Sequence, residues 1–192
     1  MNTLVEYPPN CEFEAVTAAA VATCDALDDV ENSIISLPEL CSFNPLTIVS
    51  RPANCRNNSS DLVSNAAAVV ANADWYGVPN KQGQRVYTGY SLDTPLKATV
   101  DTACHSSGDY LISAILALRV QLFQLCIEKS TTFGIFTTTT ESLTDCIYAG
   151  YQQWGSFIST NDANLTAFKE VGGKSLSWHG IADDLIPFGG ST

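Results

Sequence analysis

The segment that says most about the architecture of this chain is GGKSLSWHGIADDLIP, residues 172–187. Its two leading glycines predict the end of a helix, because glycine readily takes the left-handed conformation that closes a helix. Residues 174–178 predict a β-strand, and residues 179–184 predict the loop at its carboxyl end. A carboxylate placed just past a strand can orient a histidine and stabilise its imidazolium form. Asp183 and Asp184 lie in this loop and meet that requirement.

Upstream of this segment the sequence predicts mostly helix. Ala- and Val-rich or otherwise apolar stretches at helical spacing predict core helices, and threonines at 137–140 offer N-caps for the last long one. Asn10 is the predicted N-cap of the first helix. Residues 83–96 predict short strands or a hairpin, with Tyr87 packing inward. The long predicted helices cover residues 12–24, 61–73, 107–128 and about 141–159.

Composition limits the functions open to the chain. Its 192 residues suffice for one ordinary domain, and the 45% that are apolar can form a core. A formal charge of -11 argues against binding to nucleic acid, which needs clustered Lys and Arg, and against anionic membranes. The sequence has no apolar run of about 18 residues, so no transmembrane helix is predicted.

The cysteines point to an oxidising compartment. The chain has 7 of them, and none forms a Cys-x-x-Cys pair of the kind that zinc sites usually contain, so disulfides are the better interpretation. Sequons for N-glycosylation at Asn57, Asn58 and Asn164 agree with this compartment. The first residues have neither the basic start nor the apolar core of a signal peptide, so we expect a longer secreted parent whose front part precedes them.

Four acidic residues, Asp25, Asp28, Asp29 and Glu31, follow the first predicted helix. The carboxyl end of a helix is the negative end of its dipole, so carboxylates there are unfavourable unless a cation neutralises them. Carboxylate and carbonyl oxygens suit Ca²⁺, although an EF-hand is excluded because Val30 stands where its glycine is required. On the residues alone, a calcium site and a solvated acidic turn are both open.

The segment CDALDDVENSII, residues 24–35, resembles the calcium loop in the lid of fungal tannases and feruloyl esterases. The family pattern is Cys-Asp-x-x-Asp-Gly-Val-x-Asp-Gly-Ile. The resemblance implies a disulfide between Cys24 and Cys41 around the loop. It also implies Ca²⁺ ligands from the side chains of Asp25, Asp28 and Asn32 and from the carbonyls of Val30 and Ile34.

Three positions depart from this pattern. Asp29 and Ser33 replace the two glycines, and Asn32 replaces an aspartate. Because Asn32 offers an oxygen but no charge, weakened calcium binding is expected. If either former glycine position needs a positive φ, the turn is expected to be distorted.

Residues 172–187 also resemble this family, whose pattern is Gly-Gly-Lys-Leu-x-x-Trp-His-Gly-x-Ala-Asp-x-Leu-Ile. The resemblance assigns the acid of a Ser-Asp-His triad to Asp183, with Asp184 the weaker candidate. His179 lies only four residues before Asp183, whereas α/β-hydrolases bring the catalytic histidine from a later loop, so a structural role is expected for His179. His105 is interpreted as a coincidence.

The implied fold is a fragment of an α/β-hydrolase. Residues 1–172 would form a mostly helical lid with short strands and the calcium loop at 24–41, and residues 173–192 would supply one strand and the acid loop of the catalytic domain. PNCEFEA, residues 9–15, resembles the family's entry to the lid. Candidate contacts for an aromatic acid, with core packing as the alternative, are Trp75, Tyr76, Tyr87 and Tyr90.

The resemblance implies a secreted enzyme that hydrolyses aromatic acyl esters. The chain contains neither Gly-x-Ser-x-Gly nor the family's Cys-Ser-x-Gly-Gly, and no His-Cys pair follows Asp183. We therefore expect an incomplete enzyme that is inactive alone. The alternative is a non-catalytic secreted protein whose calcium-stabilised lid binds phenolic acids.

Overall fold

A computed structural model of the chain describes residues 1, 4–55, 62–104, 110–112, 121–132, 134, 138–160 and 162–190. Most of its regular structure is helical. The helices are α1 (Asn10–Cys24), α2 (Asn65–Tyr76), α3 (Leu96–Thr99), α4 (Thr140–Ile158) and α5 (Thr166–Glu170), with a π-helical turn at Leu122–Ile127 and 3₁₀ turns at Asp25–Asp28, Pro38–Leu40, Pro45–Ile48 and Phe188–Gly190.

The ends of the longer helices follow from local side chains. The Ser64 hydroxyl accepts a hydrogen bond from the Ala67 N–H at 3.1 Å and caps α2. At the other end of α2, Gly77 has φ 89°, and a Cβ there would lie 2.3 Å from the Tyr87 carbonyl oxygen, so only glycine fits. Helix α4 begins with a reciprocal cap in which Thr139 and Ser142 each accept the other's N–H.

Strands β1 (Gly77–Pro79) and β2 (Arg85–Thr88) form an antiparallel hairpin, with Val78 opposite Tyr87. Strands β3 (Thr102–Cys104) and β4 (Tyr110–Ile112) form a second antiparallel pair. Among the described residues these two pairs are the only sheets. Each is too small to form a hydrophobic layer of its own, so both depend on the helices beside them.

The core lies where α1, α2 and α3 meet. Alanines on α1 and α2 allow these two helices to pack closely, and larger side chains from each helix fill the space between them. Phe13 and Val16 of α1 are fully buried, as are Ala67 and Ala71 of α2. Leu96 of α3 closes one side of this cluster, which also contains Ala20, Ile48, Ala53, Val63, Val70, Trp75 and Val100.

Two disulfides fasten this core. Cys11 of α1 is bonded to Cys55, and Cys24 at the end of α1 is bonded to Cys41. Cys126 and Cys146 are free thiols among the cysteines whose side chains are described. Burial first, and then the neighbouring Glu128 carboxylate, raises the pKa of Cys146 to about 11, so its thiol stays protonated at neutral pH.

The predicted strand over 174–178 is wrong for this structure. Residues 173–180 form no regular element, and neither strand pair includes them. A strand is stable only when its N–H and C=O groups meet those of a neighbour, and these residues have no such neighbour among the described ones. Leu176 and Trp178 alternate with serines, as in a strand, but these residues are not part of any described sheet.

The predicted helix over 107–128 is also wrong in part. Tyr110–Ile112 is strand β4 rather than helix, whereas Leu122–Ile127, near the end of the range, is helical, as the π-helical turn. The apolar run allowed either element, and pairing with β3 selected the strand. Residues 105–109 and 113–120 lie outside the described residues.

The other predicted elements differ less from the structure. Helices α1 and α4 begin and end within a few residues of their predicted limits. The range 83–96 contains one strand, β2, but its hairpin partner β1 lies before that range. Asn10 is the first helical residue rather than the cap, and Tyr87 is 41% exposed rather than packed inward. In the described part of the chain, no helix has the length and apolar character needed to cross a membrane.

Candidate functional site

The first candidate site is the acidic loop that follows α1. A 3₁₀ turn at Asp25–Asp28 redirects the chain, and the segment beyond it folds back over the Asp25 carboxylate. Asp25 accepts N–H hydrogen bonds from Asn32 at 3.1 Å, Ser33 at 3.0 Å and Ile34 at 3.1 Å. These donors, Ser33 first, lower the pKa of Asp25 below its ordinary value, so the carboxylate stays ionised.

The other residues predicted to hold calcium lie in the same turn. Asp28 accepts the Val30 N–H at 3.1 Å, and the Asn32 amide oxygen accepts the Ile34 N–H at 3.1 Å. The structure thus gathers Asp25, Asp28, Val30, Asn32 and Ile34 into one short loop whose polar groups bond to one another.

Both positions where the family pattern has glycine are left-handed here. Asp29 has φ 64° and Ser33 has φ 65°. This conformation is costly for residues that have a Cβ, although a short polar side chain such as Asp tolerates it best. The loop has therefore kept the backbone path that favours glycine while carrying other residues.

Two links fix this loop to the core. The Cys24–Cys41 disulfide, the pairing that the resemblance implies, closes the segment at its base. Fully buried Ile35 donates its N–H to Asp93 at 3.1 Å, and the Ser91 hydroxyl donates to the other oxygen of Asp93 at 2.6 Å. Sequence analysis missed the role of Asp93, because its only local sign is the Ser-x-Asp turn spacing.

The predicted calcium ligands can be compared with the donors that Ca²⁺ prefers. Its predicted donors are two carboxylates, one amide oxygen and two carbonyls, all of them hard oxygens that suit Ca²⁺. Among the described residues, no group of three or more His, Cys, Asp or Glu side chains is close enough to hold a metal. The charge available to the ion therefore comes from two carboxylates at most, and Asn32 adds none.

The second candidate site is the loop that contains Asp183. One carboxylate oxygen accepts the N–H groups of Leu185 at 2.8 Å and Ile186 at 3.0 Å. The other oxygen lies 3.2 Å from Nε2 of His179. The N–H donors, Ile186 first and then Leu185, and after them His179, lower the pKa of Asp183 below its ordinary value. The carboxylate is thus ionised, fixed in orientation and paired with an imidazole.

The hairpin reaches this acid loop from the core side. The Tyr90 hydroxyl donates to the Leu185 carbonyl at 3.3 Å. Gly189 packs on Thr88 of β2, since a Cβ on Gly189 would lie 2.5 Å from the Thr88 hydroxyl oxygen. Thr88 and Tyr90, which follow α2 in the sequence, thus hold the loop that contains Asp183. These contacts join distant positions and were not predicted from the sequence.

Two of the four candidate aromatic contacts, Trp75 and Tyr76, make intramolecular contacts in this arrangement. Trp75 is buried in the core and meets Phe43 edge-on, with ring centroids 6.0 Å apart. The Tyr76 hydroxyl donates to the Gly83 carbonyl at 2.8 Å within the hairpin. Core packing, the alternative weighed for these residues, accounts for Trp75, whereas Tyr76 is 47% exposed and lies outside the core. His105, Asn57 and Asn58 lie outside the described residues.

The chain belongs to the tannase and feruloyl esterase family, since the sequence profile described as "Tannase and feruloyl esterase" matches residues 1–191. A probable feruloyl esterase from Arthroderma benhamiae is 26% identical over 184 residues, a match covering 94% of this chain and 33% of that protein. The tannase of Aspergillus oryzae is 24% identical over 221 residues, covering 97% of this chain and 38% of the relative.

Solved structures agree with this assignment. The tannin acyl hydrolase from Aspergillus niger superposes with a TM-score of 0.87 at 29% identity, covering 98% of this chain and 36% of that one. Feruloyl esterase B from Aspergillus oryzae gives a TM-score of 0.70 at 21% identity and shares the fold over 97% of this chain and 34% of its own. The chain spans about a third of the length of the curated relatives it matches.

Proposed function

We propose that the chain is part of a secreted ester hydrolase that cleaves aromatic acyl esters, with Asp183 as the acid of its Ser-Asp-His triad. The observation that carries the proposal is the arrangement of the Asp183 carboxylate. Two backbone N–H groups fix one of its oxygens, and the other already lies beside an imidazole nitrogen. A triad acid needs these properties to hold a histidine in the right tautomer and to stabilise its charged form.

In this mechanism a serine attacks the ester carbonyl, and a histidine takes the serine proton and later gives it to the leaving alcohol. Asp183 stays ionised throughout, which its lowered pKa favours at neutral pH. The 192 residues contain no serine in a nucleophile motif of this family. The nucleophile and the catalytic histidine are therefore proposed to come from outside these residues, and His179 to position the acid.

The names of the relatives support the class of substrate. They include a feruloyl esterase and a tannase, both of which act on esters of aromatic acids. Two disulfides support secretion, because disulfides form and persist in oxidising compartments. The helical part of the chain would then form the lid over the site, and residues 173–192 would join the catalytic domain.

We also propose that Asp25, Asp28 and Asn32, with the carbonyls of Val30 and Ile34, hold a calcium ion. When bound, the ion would neutralise the carboxylates gathered at the negative end of α1. Its role would be structural, because it would fix a loop that the Cys24–Cys41 disulfide and Asp93 already fasten to the core.

The calcium proposal predicts a higher melting temperature for the purified chain in millimolar calcium than in a chelator. Asp25→Asn should abolish this difference, because it removes the charge of the best-connected carboxylate. Asn32→Asp should strengthen it by adding a charge. Exposed Asp29, which is outside the proposed ligands, provides the control, and Asp29→Asn should leave the difference intact. If calcium changes the melting temperature neither of the original chain nor of Asn32→Asp, the proposal is wrong.

Two measurements test the proposed activity. The 192-residue chain alone should give no turnover of methyl ferulate or methyl gallate, whereas the enzyme read from the complete transcript should hydrolyse one of them. In that enzyme Asp183→Asn should lower kcat by about 10⁴, the size of effect seen when a triad acid loses its charge. Asp184→Asn is the matched control and should change kcat little.

Two results would overturn the proposed activity. One is turnover by the 192 residues alone that survives Asp183→Ala. The other is a complete transcript without a Cys-Ser-x-Gly-Gly and a later His-Cys. Tight binding of free ferulic acid with no hydrolysis by either protein would support the phenolic-binding module instead.

A further inference from the structure

We infer that Asn164 is a site of N-linked glycosylation, and that its glycan covers an apolar surface next to α5. The residues Asn164, Leu165 and Thr166 form the acceptor sequence Asn-x-Thr. This inference concerns the handling of the chain in the secretory pathway and does not depend on the proposed ester hydrolysis.

The structure places this sequon where a sugar can be accommodated. Every residue from 162 to 170 is exposed, a range that comprises the end of the connection from α4 and the whole of α5. A glycan is bulky and is compatible with folding only where its acceptor faces solvent. The Asn164 side chain meets this condition along with its neighbours on both sides, so an attached sugar has no packed element to displace.

The backbone around Asn164 also holds its amide in a defined orientation. The Asn164 side-chain oxygen accepts the Thr166 N–H at 3.2 Å, and the Asn164 N–H is donated to Asp162 at 2.9 Å. Both are turns in which a side chain bonds the backbone two residues along. Neither bond uses the side-chain nitrogen Nδ2, which is the atom that would carry the sugar.

The neighbouring apolar side chains give the glycan a role. Leu165 is 59% exposed, Phe168 44% and Val171 83%, all within seven residues of Asn164. Exposed apolar groups that cluster in this way favour association between chains. A hydrated oligosaccharide rooted at Asn164 would lie beside them and reduce such contacts.

The chemistry is a group transfer from a lipid-pyrophosphate-linked oligosaccharide. The Asn164 amide nitrogen forms a bond to C1 of the first sugar and loses one proton to the transferase. The bond between C1 and the pyrophosphate oxygen breaks, and its electron pair leaves with the pyrophosphate. No oxidant or reductant is involved.

The test is expression of the full chain behind a secretory leader in a yeast host. Secreted and membrane fractions are both treated with the amidase that releases N-glycans, in heavy-oxygen water, and digested for mass spectrometry. The peptide that contains residue 164 should carry aspartate with one heavy oxygen at that position. Thr166→Ala should abolish the label and Thr166→Ser should keep it, although both variants retain Asn164.

Two results would show that Asn164 is not a glycosylation site. If chains whose Cys24–Cys41 disulfide has formed yield only unlabelled Asn164 peptide in both fractions, the inference is wrong, because disulfide formation shows that those chains entered the secretory pathway. Label that persists in Thr166→Ala would also overturn it, since the sequon hydroxyl would then be unnecessary. Asn164→Gln should secrete as a smaller species that aggregates at lower concentration than the glycosylated chain.

Discussion

Glu12 is an ionisable residue in the core, with only 2% of its surface exposed. Its carboxylate accepts the Ser64 N–H at 2.8 Å, directly before the first turn of α2. This bond joins the start of α1 to the amino terminus of α2 across 52 positions of sequence. The positive end of the α2 dipole also favours a negative charge at this place.

Removal of this carboxylate should therefore destabilise the whole core. Glu12→Ala leaves a buried N–H without its acceptor, and we expect a loss of about 1–3 kcal/mol in the free energy of unfolding. Urea titration followed by circular dichroism measures this loss. Exposed Glu14 lies on the same helix, and Glu14→Ala should change the midpoint little. Equal midpoints for the two variants would contradict the role assigned to Glu12.

The pH response of the acid loop follows from Asp183. The N–H groups of Ile186 and Leu185, followed by His179, hold the pKa of Asp183 below the ordinary value of 3.8. A carboxylate with a lowered folded pKa stabilises the fold above its unfolded pKa, and this contribution disappears as the pH falls through the folded pKa. The loop should hence be well ordered at neutral pH and loosen below about pH 4.

Hydrogen exchange at the Leu185 and Ile186 amides, measured between pH 6 and 3 and corrected for intrinsic rates, checks this expectation. Protection should fall as Asp183 becomes protonated. In Asp183→Asn both amides should exchange faster throughout, without the pH-dependent step, whereas Asp184→Asn should keep the step. Protection that is independent of pH in the original chain would show that the carboxylate does not order the loop.

The loop after α1 contains a strained backbone position, Ser33, and a single substitution should relieve the strain. Ser33 has φ 65°, where a residue with a Cβ is unfavourable by about 1–2 kcal/mol. Ser33→Gly relieves this and keeps the N–H that bonds Asp25, while glycine adds about 0.5–1 kcal/mol of unfolded-chain entropy. The net expectation is stabilisation by several tenths of a kcal/mol to about 1 kcal/mol.

Ser36 provides the matched control for this substitution, because it lies in the same loop without a positive φ. Ser36→Gly should destabilise the chain, since it adds flexibility and relieves nothing. The two variants are compared by denaturant midpoint in a chelator, so that calcium plays no part. Shifts of the same sign for both would show that the left-handed conformation at Ser33 is not strained.

Elements that depend on nearby residues could be predicted from the sequence, and those that depend on distant ones could not. Helix α4 follows from threonine caps and its own periodicity, and α1 from its Ala- and Val-rich face. Residues 174–178 and strand β4 were assigned wrongly because strand formation depends on a partner elsewhere in the chain. Periodicity alone cannot show whether that partner is present.

The same limit applies to the candidate site. The ligand loop and the Cys24–Cys41 pairing are visible in one short segment that resembles a known pattern. The anchor at Asp93 lies 58 positions from the Ile35 N–H that it accepts, and Tyr90 lies 95 positions from Leu185. Contacts of this range come from tertiary packing, and a single sequence carries no signal for them.

For the whole molecule, the distribution of apolar surface is uneven. The core around α1, α2 and α3 is closely packed, whereas Val171 is 83% exposed, Leu176 93% and Trp178 91%. Soluble monomers seldom expose so many large apolar side chains in one stretch. Residues 174–178 also form no regular element and are not paired in any described sheet, which leaves backbone groups without ladder partners.

This surface should make the chain associate with itself at moderate concentration. Leu176→Ser together with Trp178→Ser removes its two most exposed side chains, so the double variant should stay monomeric at concentrations where the original chain forms larger species. The melting temperature should change little, because neither residue belongs to the core. Sedimentation velocity over a concentration series measures the association.

A comparison with equally drastic changes elsewhere separates this surface from apolar exposure in general. Leu40 is 60% exposed and Leu46 is 50% exposed. Both follow the Asp25 loop in the sequence and lie outside the carboxyl-terminal segment that contains Asp183. Leu40→Ser together with Leu46→Ser should leave association almost unchanged. Iodide should quench the emission of Trp178 at low concentration and lose access to it as larger species form, while buried Trp75 stays protected throughout. If both double variants reduce association equally, the carboxyl-terminal segment has no special part in it, and residues 174–178 are not acting as an unpaired strand.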